Sequence, residues 1–159
     1  MPNKTFLHKL GFSPKDNTSG IFYKNYQTAG NYRIEIDIEK KKFDFGNKIK
    51  SESGTTKNFS KEENWVVFEC VNRLLEKGYK PEDIILEKFY PTGHGTSGKL
   101  DILVKKNKRA YLMIECKTWE QEFDKAFKKL QKDGGQLFTY FQQDRDAKYL
   151  MLYVSQFDG

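Results

Sequence analysis

Residues 98–118 read GKLDILVKKNKRAYLMIECKT. Two apolar runs, Ile102-Leu103-Val104 and Leu112-Met113-Ile114, flank a short basic turn at residues 105–109, the pattern of a β-hairpin. With the turn centred near Lys108, Asp101 falls opposite Glu115. Side chains alternate along a strand, so Glu115 and Lys117 share one face and Cys116 points to the other. Directly paired residues have Cβ atoms roughly 4.5–5.5 Å apart, near enough for two carboxylates to hold one ion. Charges on otherwise apolar strands are costly to bury unless they are paired or bound to a metal. The trio Asp101, Glu115 and Lys117 therefore reads as a site.

One Asp and one Glu supply the hard oxygen ligands suited to Mg²⁺, with Mn²⁺ as a substitute. Mg²⁺ keeps several waters and binds through one or two carboxylates plus substrate phosphate. Such an ion polarises a phosphoryl oxygen and lowers the pKa of a bound water. Lys117 is placed to orient or deprotonate that water and to stabilise charge in the transition state. The expected reaction is phosphodiester hydrolysis. The competing reading of the same residues is a cross-strand salt-bridge cluster on an exposed hairpin.

On Asp101, the Glu115-Cys116-Lys117 strand and their apolar flanks, the chain resembles the PD-(D/E)xK nuclease superfamily. Within it, the likeness is to the N-terminal nuclease domains of type I-like restriction enzymes and fused restriction-modification proteins, over about residues 60–155. Leu100 stands where the motif's name has Pro. Gly98 and Lys99 resemble the glycine and basic residue that this branch often places before the aspartate. The resemblance implies an α/β (α+β) fold with a restriction-endonuclease-like core, a central mixed sheet flanked by helices. It implies Asp101, Glu115 and the Cys116 carbonyl as metal ligands, and Asp101, Glu115, Lys117 and Glu63 as catalytic residues. It also implies double-stranded DNA as substrate, and helicase and methyltransferase domains or subunits as partners.

Elements on either side extend the pattern. Ser60 and Glu63 have the spacing of a capping box opening a helix, and Gly78 closes it. A helical wheel sets Glu63 beside Val67, Cys70 and Leu74, with Glu62 and Glu69 on the polar side. Glu63 either completes the capping box or, by the resemblance, is the first-helix glutamate that helps bind metal or orient water. Downstream, Gln136 and Tyr140 are four apart on one helical face. They resemble the Q-x-x-x-Y motif of type I restriction nucleases, which contacts DNA near the active site. Lys99 and His94, in or beside the glycine-rich loop at 91–98, are further candidate DNA contacts; His94 reads equally as polar surface. Between these motifs, Phe123, Ala126, Phe127 and Leu130 form a stripe expected to face the core. Lys125, Lys128, Lys129 and Lys132 lie opposite.

With 159 residues the chain is long enough for one well-buried core and a small addition. The expected division is a β-rich extension and linker at 1–59 and a nuclease core at 60–159 in α-β-β-β-α-β order. Tyr32, Ile34, Ile36 and Ile38 alternate as the inward side of a strand. Phe43 and Phe45 belong to a second strand beyond a lysine turn. Residues 46–60 read as a linker or mobile loop, and residues 149–154 as a strand covered on both faces. A net charge of +6 and a pI near 9.1 favour a polyanionic partner. Cys70 and Cys116 sit in apolar stretches without disulfide or zinc spacing, which fits a reducing cytoplasm. No long apolar span is present, so no membrane partner is expected. The reading as a whole is an Mg²⁺-dependent DNA endonuclease domain. Its rival is a nuclease-fold module that binds DNA or docks a methyltransferase without cleaving.

Overall fold

The computed structural model describes residues 4–93 and 95–158. The chain is a mixed α+β protein with two sheets. Helix α1 (Lys4–Lys9) precedes an antiparallel sheet of β1 (Ser13–Pro14), β2 (Ile21–Tyr26), β3 (Tyr32–Asp37) and β4 (Lys42–Asp44), paired in that order. Along β3, Tyr32, Ile34 and Ile36 are buried while the residues between them are not, so one face of this sheet turns inward. Phe43 and Phe45 join that face, as their spacing predicts.

That inward face rests on α2 (Glu62–Glu76), whose other side covers a second sheet. Residues from both sheets and from α2 form one continuous apolar core. Segment 1–59 is thus packed onto the rest. Being covered on two sides, α2 buries even Asn64, Glu69 and Asn72. Asn72 Oδ1 accepts hydrogen bonds from Lys24 Nζ and the Tyr26 hydroxyl, each at 2.8 Å. The expected capping box does not form: the helix starts one residue later, with Lys61 at the N-cap and no side-chain cap. Ser60 instead donates its amide to Asn58 Oδ1. The C-terminus closes as the sequence predicts. Gly78 (φ +88°) and Tyr79 donate their amides to the Leu75 and Leu74 carbonyls, a Schellman closure that needs a left-handed residue at Gly78.

The second sheet runs β5 (Lys50–Ser51), β6 (Ile84–Gly93), β7 (Thr96–Lys106), β8 (Arg109–Lys117) and β9 (Tyr149–Val154). The outer pairs are parallel and the inner pairs antiparallel, a mixed sheet. From α2 onward the helix and sheet order is α2, β6, β7, β8, α3 (Gln121–Asp133), α4 (Gly135–Phe141), β9, with a single 3₁₀ turn between α2 and β6. A second apolar cluster lies where α4 brings Leu137 and Tyr140 against Leu100, Leu103 and Met113.

Three expectations need correction. Residues 46–60 are not a free linker: β5 pairs with β6, Lys42 bridges to Asn58, and Thr56 is buried. Strand β9 is an edge strand with Tyr149, Leu150 and Met151 exposed, so it is not covered on both faces. Helix α3 has no fully buried residue: Leu130 packs on the second apolar cluster and Phe123 and Ala126 are half-buried, but Phe127 is 42% exposed, so the stripe faces the core only in part.

Candidate active site

The hairpin turn is tighter than expected, and a bulge restores the register. Asn107 (φ +53°) and Lys108 (φ +65°) make a two-residue turn of the primed kind between paired Lys106 and Arg109. Carried on unchanged, that register would set Asp101 opposite Ile114 and put Glu115 on the wrong face. Pairing shifts by one between Val104 and Lys105, so that Val104 meets Leu112 and Ile102 meets Ile114. One residue further along each strand, Asp101 and Glu115 come level. The bulge is therefore what makes a two-carboxylate site out of this hairpin.

Glu115 is 6% exposed, and Asp101 is half-buried. The Cys116 amide donates to Asp101 Oδ2 at 2.7 Å. Lys117 Nζ lies 3.1 Å from Glu115 Oε1 and 3.5 Å from Glu63 Oε2. Glu115 Oε2 is buried with no hydrogen-bond partner among the described residues. Burial raises the Asp101 pKa well above the usual carboxylate range, and the neighbouring Glu115 raises it further against the opposing Cys116 amide. Burial also raises Glu115, with Lys117 opposing. These carboxylates lack enough positive charge and hydrogen bonding to be comfortable as anions.

Burial alone would lower the Lys117 pKa, but Glu115 and then Glu63 outweigh it and push the ammonium above its ordinary value. Held between two carboxylates, the Lys117 ammonium is placed to stabilise negative charge. Cys116 faces the opposite way into the core beside Cys70; both thiols are free and buried.

Glu115 and Lys117 open onto a cleft of about 200 Å³, closed on its far side by Lys125, Lys129 and Gln136. Gln136 is exposed there, whereas Tyr140 is not an open surface group. Its ring is 1% exposed, stacks on Tyr90 at 5.3 Å, and donates its hydroxyl to the Lys99 carbonyl at 3.3 Å. Burial and then the charges of Glu115 and Asp101 push its pKa up to about 12. Gly98 permits this approach, since a Cβ there would lie 2.5 Å from the Tyr140 hydroxyl. Tyr140 thus braces the strand that carries Asp101. His94, the remaining loop candidate, lies outside the described residues.

Sequence reasoning missed two buried acids. Glu69, expected on a polar face, is buried and bonded to Arg73 and to the Tyr153 hydroxyl. Glu87 is 2% exposed, sits mid-strand with φ +54°, and accepts from Ser51 Oγ (2.6 Å), Ser53 Oγ (3.2 Å) and the Thr55 amide and hydroxyl. Lys99 Nζ lies 3.6 Å from it and bonds Ser53 and Thr55 as well. Lys99 is thereby tied to the 51–55 loop. A lone positive φ in a predicted strand leaves no mark in the sequence.

No group of three or more His, Cys, Asp or Glu side chains is placed to hold a metal ion among the described residues. The donor set is the pair Asp101 and Glu115, with the orphaned Glu115 Oε2 as the atom that a cation would satisfy. No helix among those residues is long and apolar enough to cross a membrane. No protein-family model matches the chain, and no curated protein matches it.

Proposed function

We propose that this chain is a metal-dependent nuclease domain of the PD-(D/E)xK kind, acting on double-stranded DNA as the nuclease part of a restriction-modification enzyme. The observation that carries the reading is the pairing of Asp101 with Glu115. Two poorly neutralised carboxylates lie on neighbouring strands, and Glu115, which lines a cleft, has a buried oxygen that no group among the described residues satisfies. Retaining such a pair costs stability unless a ligand answers it.

Asp101 and Glu115, with the Cys116 carbonyl by resemblance, would hold Mg²⁺ or Mn²⁺. When bound, the ion supplies Lewis-acid polarisation of a phosphoryl oxygen and a more acidic water. Lys117, fixed as an ammonium between Glu115 and Glu63, stabilises negative charge growing on the phosphate. Gln136 reaches the substrate across the cleft, and Tyr140 and Gly98 hold the Asp101 strand in place. Partners with helicase or methyltransferase activity belong to the same proposal.

The second reading, a scaffold that does not cleave, draws on the ion pairs of Lys117 with Glu115 and Glu63. Those pairs leave Asp101 and Glu115 Oε2 unaccounted for. Supercoiled duplex DNA incubated with the protein and Mn²⁺ tests the choice. Nicking by the wild type, lost in Asp101→Asn, is expected; equal nicking by both, or none by either while metal still binds, rejects the assignment of a cleaving site.

A further inference from the structure

Four lysines stand on α3, Lys125, Lys128, Lys129 and Lys132, and all four are exposed. By sequence they are one solvated set, but the packing of the helix separates them. Lys125 and Lys129, one turn apart, line the cleft onto which Glu115 and Lys117 open, and Lys128 and Lys132 do not. The same cleft has an apolar lining from Ala126, Leu130, Leu137 and Leu152.

Lysines outnumber carboxylates in that lining, three to two. Of the two acids, Glu115 belongs to the proposed metal pair. The other, Glu122, lies 3.2 Å from Lys125 Nζ, with the two side chains 55% and 68% exposed. An ion pair so open to water contributes little and yields to a stronger anion. Lys129 has no ion pair among the described residues. Lys117, by contrast, is held between Glu115 and Glu63. The cleft thus has one cation fixed beside its acids and two more that no acid holds firmly.

We infer that Lys125 and Lys129 seat the phosphate next to the scissile one, on the strand that is cut. The inference rests on the nuclease reading and adds to it the residues that place the strand. A cleft of about 200 Å³ admits a phosphate with its sugar but no duplex, so the backbone of one strand enters while the helix stays outside. The apolar lining suits the deoxyribose, and the Gln136 side-chain amide can donate to a phosphate oxygen. Contacts of this kind fix the position of the nucleic acid without reading its sequence. Lys125 and Lys129 are positioning residues and take no part in bond making.

Two charge-matched double substitutions on the one helix test this. Lys125→Gln with Lys129→Gln, and Lys128→Gln with Lys132→Gln, remove the same charge from exposed positions and keep a good helix former. Binding of a fluorescein-labelled duplex is followed by anisotropy from low to moderate salt, with divalent metal chelated so that nothing is cut. Loss of the cleft pair should weaken binding about tenfold and lower the slope of log affinity against log salt by about 1.8, the share of two phosphates. The other pair should leave the slope as in wild type. Glu122→Gln removes the competing carboxylate and should tighten binding about two- to fivefold. With Mn²⁺, the cleft-pair variant should show a raised KM and a kcat near wild type, the mark of lost ground-state binding. Equal losses from the two pairs overturn the inference and leave only the general attraction of a basic protein. A wild-type salt slope in the cleft-pair variant, or a fall in kcat with KM unchanged, overturns it as well. Those results spare the nuclease reading, whereas wild-type protein that binds no duplex overturns both.

Discussion

Two acidic sites share one sheet, and they are built in opposite ways. Glu87 is as buried as a carboxylate can be, yet Ser51, Ser53 and Thr55 satisfy its oxygens and Lys99 stands beside it. Burial would raise its pKa, but hydrogen bonds from Ser51 and Thr55 outweigh burial, and the net direction is down. Asp101 and Glu115 have fewer partners, so burial raises both, and Glu115 Oε2 has no partner among the described residues. A buried acid whose oxygens are answered within the fold is part of its framework. One left short of partners points to something the fold expects to receive.

The largest effect expected from this contrast is on catalysis. Lys117→Ala should lower single-turnover cleavage about a hundredfold or more while DNA affinity holds, because its ammonium acts on charge that develops during reaction. Lys117→Arg keeps the cation and should recover part of the rate; recovery of none would point to a proton-transfer role instead. Glu87→Ala should leave the metal site intact and instead destabilise the fold by about 1–3 kcal/mol in chemical denaturation, since it strands the Ser51 and Thr55 donors. Asp101→Asn should show the converse, with metal-free stability unchanged or improved because it removes a desolvated charge. Similar losses from both substitutions would erase the distinction.

The same contrast predicts opposite pH behaviour. Glu87, with its pKa lowered by folding, contributes stability above the ordinary carboxylate value and loses it as pH falls through the folded value. Asp101 and Glu115 are raised by folding, so the folded state binds protons more tightly and their cost grows as pH rises past the ordinary carboxylate range. Without metal, the stability gain of Asp101→Asn over wild type should therefore increase from about pH 5 to about pH 8. Thermal unfolding across that range checks it, and a gain that shrinks with pH contradicts the raised values.

What the sequence disclosed follows periodicity. The apolar runs, the basic turn and the position of Glu115 relative to Asp101 were legible because strands repeat every two residues. Even so, the alignment came from a primed turn plus a bulge, two features that cancel in the arithmetic. The helix end at Gly78 was legible because a left-handed closure has its own residue. Contacts distant in sequence were not. Glu69 finds Tyr153 across 84 residues, and Glu87 finds its loop across 32 to 36. Tyr140 read as a surface partner of Gln136 because helical spacing cannot tell which of two neighbours meets the glycine of another strand. The apolar stripe on α3 meets the core at Leu130 but leaves Phe127 exposed, because amphipathicity gives the face and not how far the neighbouring elements cover it.

A smaller effect is expected at the cleft wall. Gln136→Ala should weaken duplex binding by about 1 kcal/mol, the scale of one lost hydrogen bond. Its salt dependence should match wild type, since no charge is removed. A changed slope of affinity against salt would mean that Gln136 supports a cation and does not touch the substrate itself.

Calorimetric titration of Mn²⁺ into the metal-free protein tests the central claim most directly. Wild type and Glu87→Gln are expected to bind the ion with the same affinity and to release protons on binding, since Asp101 and Glu115 must give up any proton they hold. Asp101→Asn is expected to bind weakly or not at all. Equal Mn²⁺ affinity in wild type and Asp101→Asn, or affinity lost only in Glu87→Gln, would contradict the assignment of Asp101 and Glu115 as the metal site.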